Sequence, residues 1–260
     1  MLCRLNATVC FLFVFGLIYG FAVSGQACTI FVLTQPGQTL FCNQEDAEPT
    51  DARIWFVPEI GNEELGTVRY GCAYVGFSNG WGQGGLNTQG LAFDWVAGFP
   101  AQWQRQAHHQ SAFGNPAERM LESCANVQEA IAFFEQYWEP SFGYAKIMIA
   151  DRSGASAIIG AKEGNLHIER YEASHGFGNG QAIVVEKLAN DAEPTIQHGQ
   201  SILKATLNDQ WTRYSNIFDF NTGDIHIFFP DNQRAPLRLN LDEALKKGHH
   251  IVPFTVEADQ

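Results

Sequence analysis

Short runs of apolar residues, separated by glycine, proline and polar turns, follow one another along most of this 260-residue chain. Residues 28–34 are nearly all apolar or β-branched, Pro36 and Gly37 mark a turn, and residues 38–43 form a second run. Runs of this length between turn signals are typical of strands, so the pair predicts a hairpin inside a sheet. The same pattern predicts strands at 53–57, 67–77, 91–96, 144–150, 155–160, 166–171, 212–218 and 224–229.

Helical patterns begin only after residue 114. Asn115 before Pro116 is typical of a helix start, and Asn126 with Glu129 forms a capping-box-like pair ahead of apolar residues at helical spacing up to Trp138. We expect these two helices to cover one face of a sheet, and the strands that follow them to form a second sheet. Runs of strands followed by runs of helices favour an α+β fold over a doubly wound parallel sheet. Further helices are predicted at about 195–207 and 241–247.

The first 27 residues differ from the rest of the chain. Arg4 precedes a long apolar run, and small residues follow it at the positions that a signal peptidase recognises. The run is shorter than the roughly 18 apolar residues that a membrane-spanning helix needs. We therefore expect a secretory signal peptide at 1–27 and a secreted or periplasmic domain at 28–260, with no stable membrane insertion after cleavage. A lipid anchor is disfavoured because Gly25 stands where a leucine is usual.

The charge balance bears on the partners of the protein. The chain has 16 Lys and Arg residues against 28 Asp and Glu residues, a formal net charge of −12. An acidic chain without a basic cluster offers no electrostatic footprint for phosphate backbones, so we expect no nucleic-acid partner. Hydrophobic residues make up 45% of the chain, which is enough for one large core. We expect a small-molecule partner, and a homo-oligomer stays open.

A glycine-rich stretch at 76–90 matches two short motifs. Residues 80–85 fit G-x-G-x-x-G, but a dinucleotide site needs a helix directly afterwards, and the next residues do not favour one. Residues 76–80 fit G-x-S-x-G around Ser78, the nucleophile elbow of α/β hydrolases, which also needs a helix. Each helical glycine costs about 1 kcal/mol, so the stretch is better interpreted as a turn that allows close backbone approach. A serine nucleophile at Ser78 remains the alternative.

Two histidine pairs, His108 with His109 and His249 with His250, are the nearest approach to a metal-binding pattern. Neighbouring residues direct their side chains apart, and neither H-E-x-x-H nor C-x-x-C occurs. We interpret the four as solvated surface histidines and expect no metal.

Cys28 would become the first residue if the signal peptide is cleaved after Ala27. One residue would then carry both a thiol nucleophile and a free α-amine, whose reference pKa of about 7.7 to 8.0 suits a general base. The alternative is a structural role, as a buried strand residue or as half of a disulfide. An exported chain with four cysteines allows three pairings; the four are Cys28, Cys42, Cys72 and Cys124.

Several segments occur in the order found in one enzyme family. They are CTIFVL at 28–33, NQED at 43–46, IWFVP at 54–58, GGLNTQGLAFD at 84–94, IADRSG at 149–154, TRYSNIFD at 212–219 and residues 239–248. Together they resemble the linear amide C–N hydrolases, which include choloylglycine hydrolase and penicillin V acylase. The resemblance covers nearly all of residues 28–260.

The resemblance implies an N-terminal nucleophile fold, a four-layer αββα sandwich, and a mechanism in which the terminal cysteine attacks an amide carbonyl. Cys28 matches the nucleophile and Asp46 the acidic residue beside it. Asn179 falls where the family places an asparagine that donates to the oxyanion, with a backbone N–H of residues 95–97 as its partner. No cofactor is implied. The expected function is secreted hydrolysis of an N-acyl amide through a Cys28 thioester.

The chain departs from the family at two arginine positions. Asn43 stands where many members have Arg, and the short segment 181–210 has no convincing match for the other. Arg53 and Arg213 are candidates for a compensating charge. Conjugated bile salts are therefore disfavoured, and an apolar or aromatic acyl group is expected. Acyl transfer on the same acyl-enzyme and a catalytically degenerate binding protein remain alternatives. The expected pocket aromatics are Trp55, Phe56, Phe77, Trp81, Phe93 and Trp95.

Overall fold

The computed structural model describes residues 28–62, 67–190, 193–231 and 234–254. The signal peptide expected at 1–27 lies outside the described residues. The first ten strands are β1 Thr29–Gln35, β2 Gln38–Asp46, β3 Arg53–Val57, β4 Ile60–Asn62, β5 Thr67–Arg69, β6 Cys72–Gly76, β7 Gly82–Asn87, β8 Leu91–Ala97, β9 Gln110–Ser111 and β10 Tyr137–Trp138. The others are β11 Ala145–Asp151, β12 Ser156–Lys162, β13 Asn165–Tyr171, β14 His175–Gly178, β15 Thr212–Asp219, β16 Asp224–Phe228, β17 Leu237–Asn240 and β18 His250–Pro253. The α-helices are α1 Pro116–Ser123, α2 Val127–Gln136, α3 Gln181–Asn190, α4 Ile196–Thr206 and α5 Leu241–Leu245.

Two large antiparallel sheets form the centre of the molecule. The six-stranded sheet has the order β14-β1-β2-β15-β16-β17, and the eight-stranded sheet has the order β13-β12-β11-β8-β7-β6-β3-β18. The first hairpin pairs β1 with β2 across the turn at Pro36 and Gly37, as the sequence predicts. Gly37 has a φ of 86°, a conformation that glycine adopts without strain.

Three apolar layers hold the sheets and helices together. Successive strand residues point to opposite faces, so Ile30 of β1 packs between the sheets while Phe31 packs under the helices. Helices α1 and α2 cover the outer face of the eight-stranded sheet, and α3 and α4 cover the outer face of the six-stranded sheet. The result is an αββα arrangement, and the α+β prediction is confirmed.

The helix starts lie where the sequence predicts them. Asn115 accepts a hydrogen bond from Ala117 N at 3.0 Å, and Asn126 accepts one from Glu129 N at 3.0 Å. Such caps satisfy backbone donors that have no partner inside the helix. Helix α2 ends at Gln136, however, so Trp138 belongs to β10 and not to the helix.

Three expectations about the sheets are wrong. The strands after residue 144 do not start a second sheet, because β11 pairs with β8 and extends the same sheet. The six-stranded sheet instead joins the first and last hairpins, with β2 beside β15. Residues 67–77, predicted as one strand, form the two strands β5 and β6. The glycine-rich stretch, interpreted as a turn, contains strand β7. Close backbone approach is confirmed there, since a Cβ at Gly85 would lie 2.8 Å from Ala73 O.

Helix α3 has no counterpart in the sequence prediction. Val184 is its buried residue, so no apolar stripe marks the segment as helical.

The cysteines and histidines also bear on the predictions. All four cysteines of the described chain are buried and unpaired, so none of the three disulfide pairings occurs there. His109 is buried against Trp103 and Trp138, contrary to the surface position expected for it.

The described residues hold no group of three or more metal-ligating side chains, and none of their helices is long and apolar enough to cross a membrane.

Candidate active site

Cys28 lies directly before β1, and its side chain enters the layer between the two sheets. It is 7% exposed and lines a cavity of about 380 Å³. Polar and aromatic side chains from both sheets and from the three connections that precede β3, β7 and β11 surround this cavity. The lining residues are Cys28, Glu45, Asp46, Ala47, Glu48, Pro49, Phe77, Asn79, Trp81, Gln83, Trp95, Ala97, Ser141, Tyr144 and Ala145.

Glu45 is the acidic side chain in direct contact with the thiol. Strand alternation places Phe41, Asn43 and Glu45 of β2 on the face that looks toward the other sheet. The Cys28 thiol donates to Glu45 Oε2 at 3.5 Å, and Asn43 Nδ2 donates to the same oxygen at 3.4 Å. Sequence reasoning missed Glu45. The sequence signal for Glu45 was its even spacing from Phe41, which places both side chains on the inward face of β2.

Asp46, the expected acidic neighbour, is the last residue of β2 and also lines the cavity. Its Oδ1 accepts a hydrogen bond from Thr212 Oγ1 at 2.7 Å. Burial raises the pKa of the Asp46 carboxyl, and the bonds from Thr212 and Gln44 oppose that rise. Its backbone N–H lowers the pKa of the Cys28 thiol, against the larger rise that burial causes. The structure thus brings Asp46 and Cys28 together in the wall of one cavity.

Asn179 follows β14, and its backbone N–H donates to Cys28 O at 3.2 Å. The preceding Gly178 has a φ of 103°, and a Cβ there would collide with Cys28 O. The close approach therefore depends on glycine. The Asn179 side chain is exposed and is not among the residues that line the cavity. The structure brings its main chain to Cys28, and its role toward an oxyanion stays a prediction.

Asp94 enters the same layer from the opposite sheet. Its neighbours Ala92 and Val96 on the same face of β8 pack between the sheets, and Asp94 itself is fully buried. Its Oδ1 accepts from Trp95 N at 2.8 Å, whereas Oδ2 has no partner among the described residues. Because this bond occupies the Trp95 N–H, that group is not free to donate to an oxyanion. Any Cβ at Gly84 would collide with Asp94 Oδ2, so the carboxyl fits only over a glycine.

The charges of this cluster depend on one another. Burial raises the pKa of Glu45 to about 7, although the hydrogen bonds from Cys28 and Asn43 oppose that rise. Burial and the nearby Glu45 raise the pKa of Asp94 well above its ordinary value. Burial, then Glu45 and Asp94, raise the pKa of the Cys28 thiol. The thiol is therefore neutral at neutral pH, and burial together with the nearby Glu45 favours the protonated form of Asp94.

The cavity wall agrees only in part with the expected aromatic pocket. Phe77, Trp81 and Trp95 line it, as expected, and Tyr144 joins them. The other three expected aromatics do not: Trp55 and Phe93 pack under α1 and α2, and Phe56 packs between the sheets.

Neither candidate arginine lines the cavity. Arg53 donates to Asp51 O at 3.4 Å, and Arg213 donates to Glu48 O and Pro49 O at the rim. Among the described residues that line the cavity, none is Lys, Arg or His.

The alternative serine nucleophile lacks its required geometry. Ser78 is exposed in the turn between β6 and β7, where the chain passes from strand to strand and not from strand to helix. Its side chain lowers the pKa of the exposed Asp51 carboxyl. The nucleophile-elbow and dinucleotide motifs both need a helix at this point, so both interpretations are excluded.

Two stacked antiparallel sheets between helical layers, with a cysteine entering the inter-sheet layer at the start of the first strand, define the N-terminal nucleophile (Ntn) hydrolase fold. Solved structures share it. Penicillin V acylase from Agrobacterium tumefaciens is 14% identical, with a TM-score of 0.67 over 86% of this chain and 90% of its own. A conjugated bile acid hydrolase variant from Clostridium perfringens is 12% identical, with a TM-score of 0.65 over 88% and 97%.

A third similar structure is the Caenorhabditis elegans ortholog of N-acylethanolamine-hydrolyzing acid amidase. It is 12% identical, with a TM-score of 0.54 over 87% of this chain and all of that one. No protein-family model and no curated protein sequence matches the chain. At these identities the likeness establishes the fold, which is the one that the sequence resemblance implies.

Proposed function

We propose that residues 28–260 form an exported amidohydrolase that cleaves a linear amide C–N bond of an N-acyl substrate through a Cys28 thioester. The observation that carries this proposal is the position of an unpaired Cys28 thiol in the wall of the cavity, at the start of the first strand of an Ntn fold. An unpaired Cys28 is also what distinguishes this proposal from a binding protein that uses the residue in a disulfide.

Removal of residues 1–27 is the first requirement of the proposal. Cleavage before Cys28 creates an α-amine next to the thiol, and in this proposal the carboxylate of Asp46 stabilises it as an ammonium group. Export of the protein, like this cleavage, is part of the proposal.

The thiol loses its proton, and the sulfur attacks the amide carbonyl carbon to give a tetrahedral oxyanion. The C–N bond then breaks, the amine leaves with a proton, and water hydrolyses the remaining thioester to regenerate the thiol. The proposed oxyanion donors are Asn179 and a backbone N–H of residues 96–97. Loss of one such donor typically costs about 10²-fold or more in rate.

An uncharged acyl group with apolar or aromatic character suits this cavity best. Three carboxylates, Glu45, Asp46 and Glu48, and several aromatic rings line the described part of its wall. A carboxylate or sulfonate on the substrate would meet negative charge there, without a cation at Asn43 to offset it.

The experiment is an assay of the secreted protein against a panel of N-acyl amides, with N-terminal sequencing of the same material. We expect a start at unmodified Cys28, hydrolysis by the wild type and by Ser78→Ala, and no hydrolysis by Cys28→Ser. A different start, a lipid adduct or full activity in Cys28→Ser would contradict the proposal. Addition of an amine acceptor identifies acyl transfer from the products, and a folded, correctly processed protein without turnover would indicate the degenerate binding protein.

A further inference from the structure

We propose that the cavity takes N-acyl amides whose leaving amine carries a second, positively charged nitrogen, as in the mono-acylated form of a diamine, and that Glu48 holds this nitrogen at the cavity mouth. The inference rests on the function proposed above and names the substrate class of the same site. The α-amine of Cys28 keeps its part as the general base in this scheme.

The wall of the cavity carries negative charge that no cation in the wall balances. Three of its lining residues are acidic, Glu45, Asp46 and Glu48, and none of the described lining residues is Lys, Arg or His. A cleft lined by charge of one sign raises the local concentration of molecules with the opposite sign. The cavity therefore favours a positively charged substrate over an anionic one.

Glu48 is the carboxylate of the three that is available to a ligand. The Glu45 carboxylate accepts a hydrogen bond from the Cys28 thiol at 3.5 Å. The Asp46 carboxylate accepts one from Thr212 at 2.7 Å and, in the proposed function, faces the α-ammonium group. Glu48 is exposed, and its side chain has no hydrogen bond or ion pair within the part of the chain that the structure describes. An exposed glutamate is ionised at neutral pH, so Glu48 presents a negative charge at the cavity mouth.

The two arginines at the rim are engaged by other groups. Arg213 donates to Glu48 O at 3.2 Å and to Pro49 O at 3.1 Å, so it bonds to the main chain of this segment and not to the Glu48 carboxylate. Arg53 pairs with Asp51 at 3.8 Å. Arg213 thus fixes the backbone that presents Glu48, and the carboxylate stays available to a ligand.

Two exposed aromatic side chains line the same cavity. Trp81 is 45% exposed and Tyr144 is 58% exposed. A cation over the face of an aromatic ring is attracted by the ring quadrupole, and tryptophan gives the strongest such contact. Exposed aromatic rings and an available carboxylate in one cavity are the groups that bind an organic ammonium ion.

The depth of the cavity decides which half of the substrate carries the charge. Phe77 and Trp95 are buried, and Phe77 packs in the same inter-sheet layer as Cys28, so the apolar acyl group suits this end. Because burial of a charge is costly, the ammonium nitrogen belongs at the exposed end, beside Glu48. The chemical step is the one described above: the S–C bond forms, the C–N bond breaks, and the leaving nitrogen takes the proton held by the α-amine.

The first test measures binding without turnover, by isothermal titration calorimetry on the mature Cys28→Ser protein. The ligands are three phenylacetyl amides of similar length: the cationic mono-amide of 1,3-diaminopropane, the neutral butylamide and the anionic amide of 3-aminopropanoate. An exposed ion pair and a cation–π contact each contribute a few-fold, so we expect the cationic amide to bind about tenfold more tightly than the neutral one. The anionic amide should bind more weakly than either, and added salt should reduce the preference. Equal affinities, tighter binding of the anionic amide or no measurable binding of the cationic amide would overturn the inference.

Hydrolysis of the same amides by the wild type separates this inference from the proposed function. Turnover of the butylamide with no preference for the diamine amide, in rate or in binding, would leave the proposed function standing and overturn the inference. Selective binding of the diamine amide without any turnover would support the cation site and count against the hydrolase.

A matched pair of variants assigns the preference to one carboxylate. In the Cys28→Ser protein, Glu48→Gln removes the charge and keeps the shape, so the affinity ratio of cationic to neutral amide should fall below about threefold. Glu135→Gln makes the same change on an exposed glutamate of α2 that does not line the cavity, and the ratio should stay near tenfold. A ratio that persists in Glu48→Gln would overturn the assignment. An equal loss in Glu135→Gln would also overturn it, because the preference would then follow the net charge of the protein.

Discussion

Two buried asparagines show how differently the molecule treats polar groups in its outer and inner layers. Asn87, at the end of β7 beside α1, donates to Leu121 O and Cys124 O at 2.7 and 2.8 Å and accepts from Gln89 N and Leu91 N at 3.0 Å. Asn216, in β15 between the sheets, is equally buried, but neither polar atom of its side chain has a partner among the described residues.

Asn216 is one of several such groups in the inner layer. Near Asn216, the inner layer holds Asn43 Oδ1, Asp94 Oδ2 and Tyr214 OH, all buried without partners among the described residues. A buried polar group without a partner costs about 1–3 kcal/mol, so this layer is arranged at the expense of stability. Asn87 instead joins a strand, a turn and a helix. The outer layer uses its polar residue for folding, and the inner layer keeps polar groups beside the reactive thiol.

The largest effect is expected at Cys28 in the inner layer, where a substitution should reduce activity and leave stability unchanged. Cys28→Ser is nearly isosteric but replaces a thiol with a much weaker nucleophile, so we expect kcat/KM for an N-acyl amide to fall by about 10³-fold or more. Its thermal unfolding midpoint should stay within a few degrees of the wild type. A large loss of stability would show that Cys28 serves the fold, as Asn87 does.

Asn87→Ala should give the opposite result. The change leaves two buried carbonyls, the buried Leu91 N–H and the partly buried Gln89 N–H without their side-chain partner, so the free energy of unfolding should fall by about 3–4 kcal/mol. Denaturant titration measures it, and kcat/KM at a temperature where the variant is folded should be close to the wild-type value. A stability loss below about 1 kcal/mol would contradict the structural role.

The pH dependence of the free energy of unfolding should show how much the buried Glu45 charge destabilises the fold. Its pKa is about 7 in the fold and about 4.5 in the unfolded chain, so between these values the folded state binds more protons. Stability therefore falls as the pH rises through this window, by about 3 kcal/mol at most. Glu45→Gln lacks this loss and should be more stable than the wild type at pH 8, but not at pH 4.5. An advantage that does not change with pH would contradict the buried charge.

Substrate preference tests whether the inner-layer polar groups serve the thiol or recognise a charged substrate. Because carboxylates line the cavity and Asn43 replaces an arginine, kcat/KM should depend more on the hydrophobicity of the acyl group than on an anionic leaving amine. Phenylacetyl, medium-chain acyl and taurine-conjugated amides provide the comparison. A preference of about tenfold, or about 1.4 kcal/mol, for the taurine conjugate over an uncharged analogue would contradict it.

The smallest effect concerns Asn216 itself. Its replacement by leucine removes two buried polar atoms that have no partner among the described residues, at some cost in packing, so we expect a change of stability between zero and a gain of about 1 kcal/mol. The matched variant Asn87→Leu should lose several kcal/mol. Equal losses in the two variants, measured by denaturant titration, would remove the contrast between the layers.

The sequence by itself determined the local elements and the residue that begins the first of them. Apolar runs and turn residues located β1, β2, β3 and β8, and side-chain caps located α1 and α2, because these signals act between residues a few positions apart. The hairpin length likewise set Asp46 near Cys28. Helix α3 escaped prediction because its burial comes from tertiary packing and leaves little periodicity in the sequence.

Only the tertiary structure decided which strands share a sheet and which carboxyls meet. Strand alternation puts Glu45 and Asp94 on one face of β2 and one face of β8, but it does not say that these faces oppose each other. The two strands lie in different sheets. Their approach depends on how the sheets stack and on the absence of a side chain at Gly84. Pairing across stacked sheets is set by packing of the whole core, and a local pattern carries no record of it.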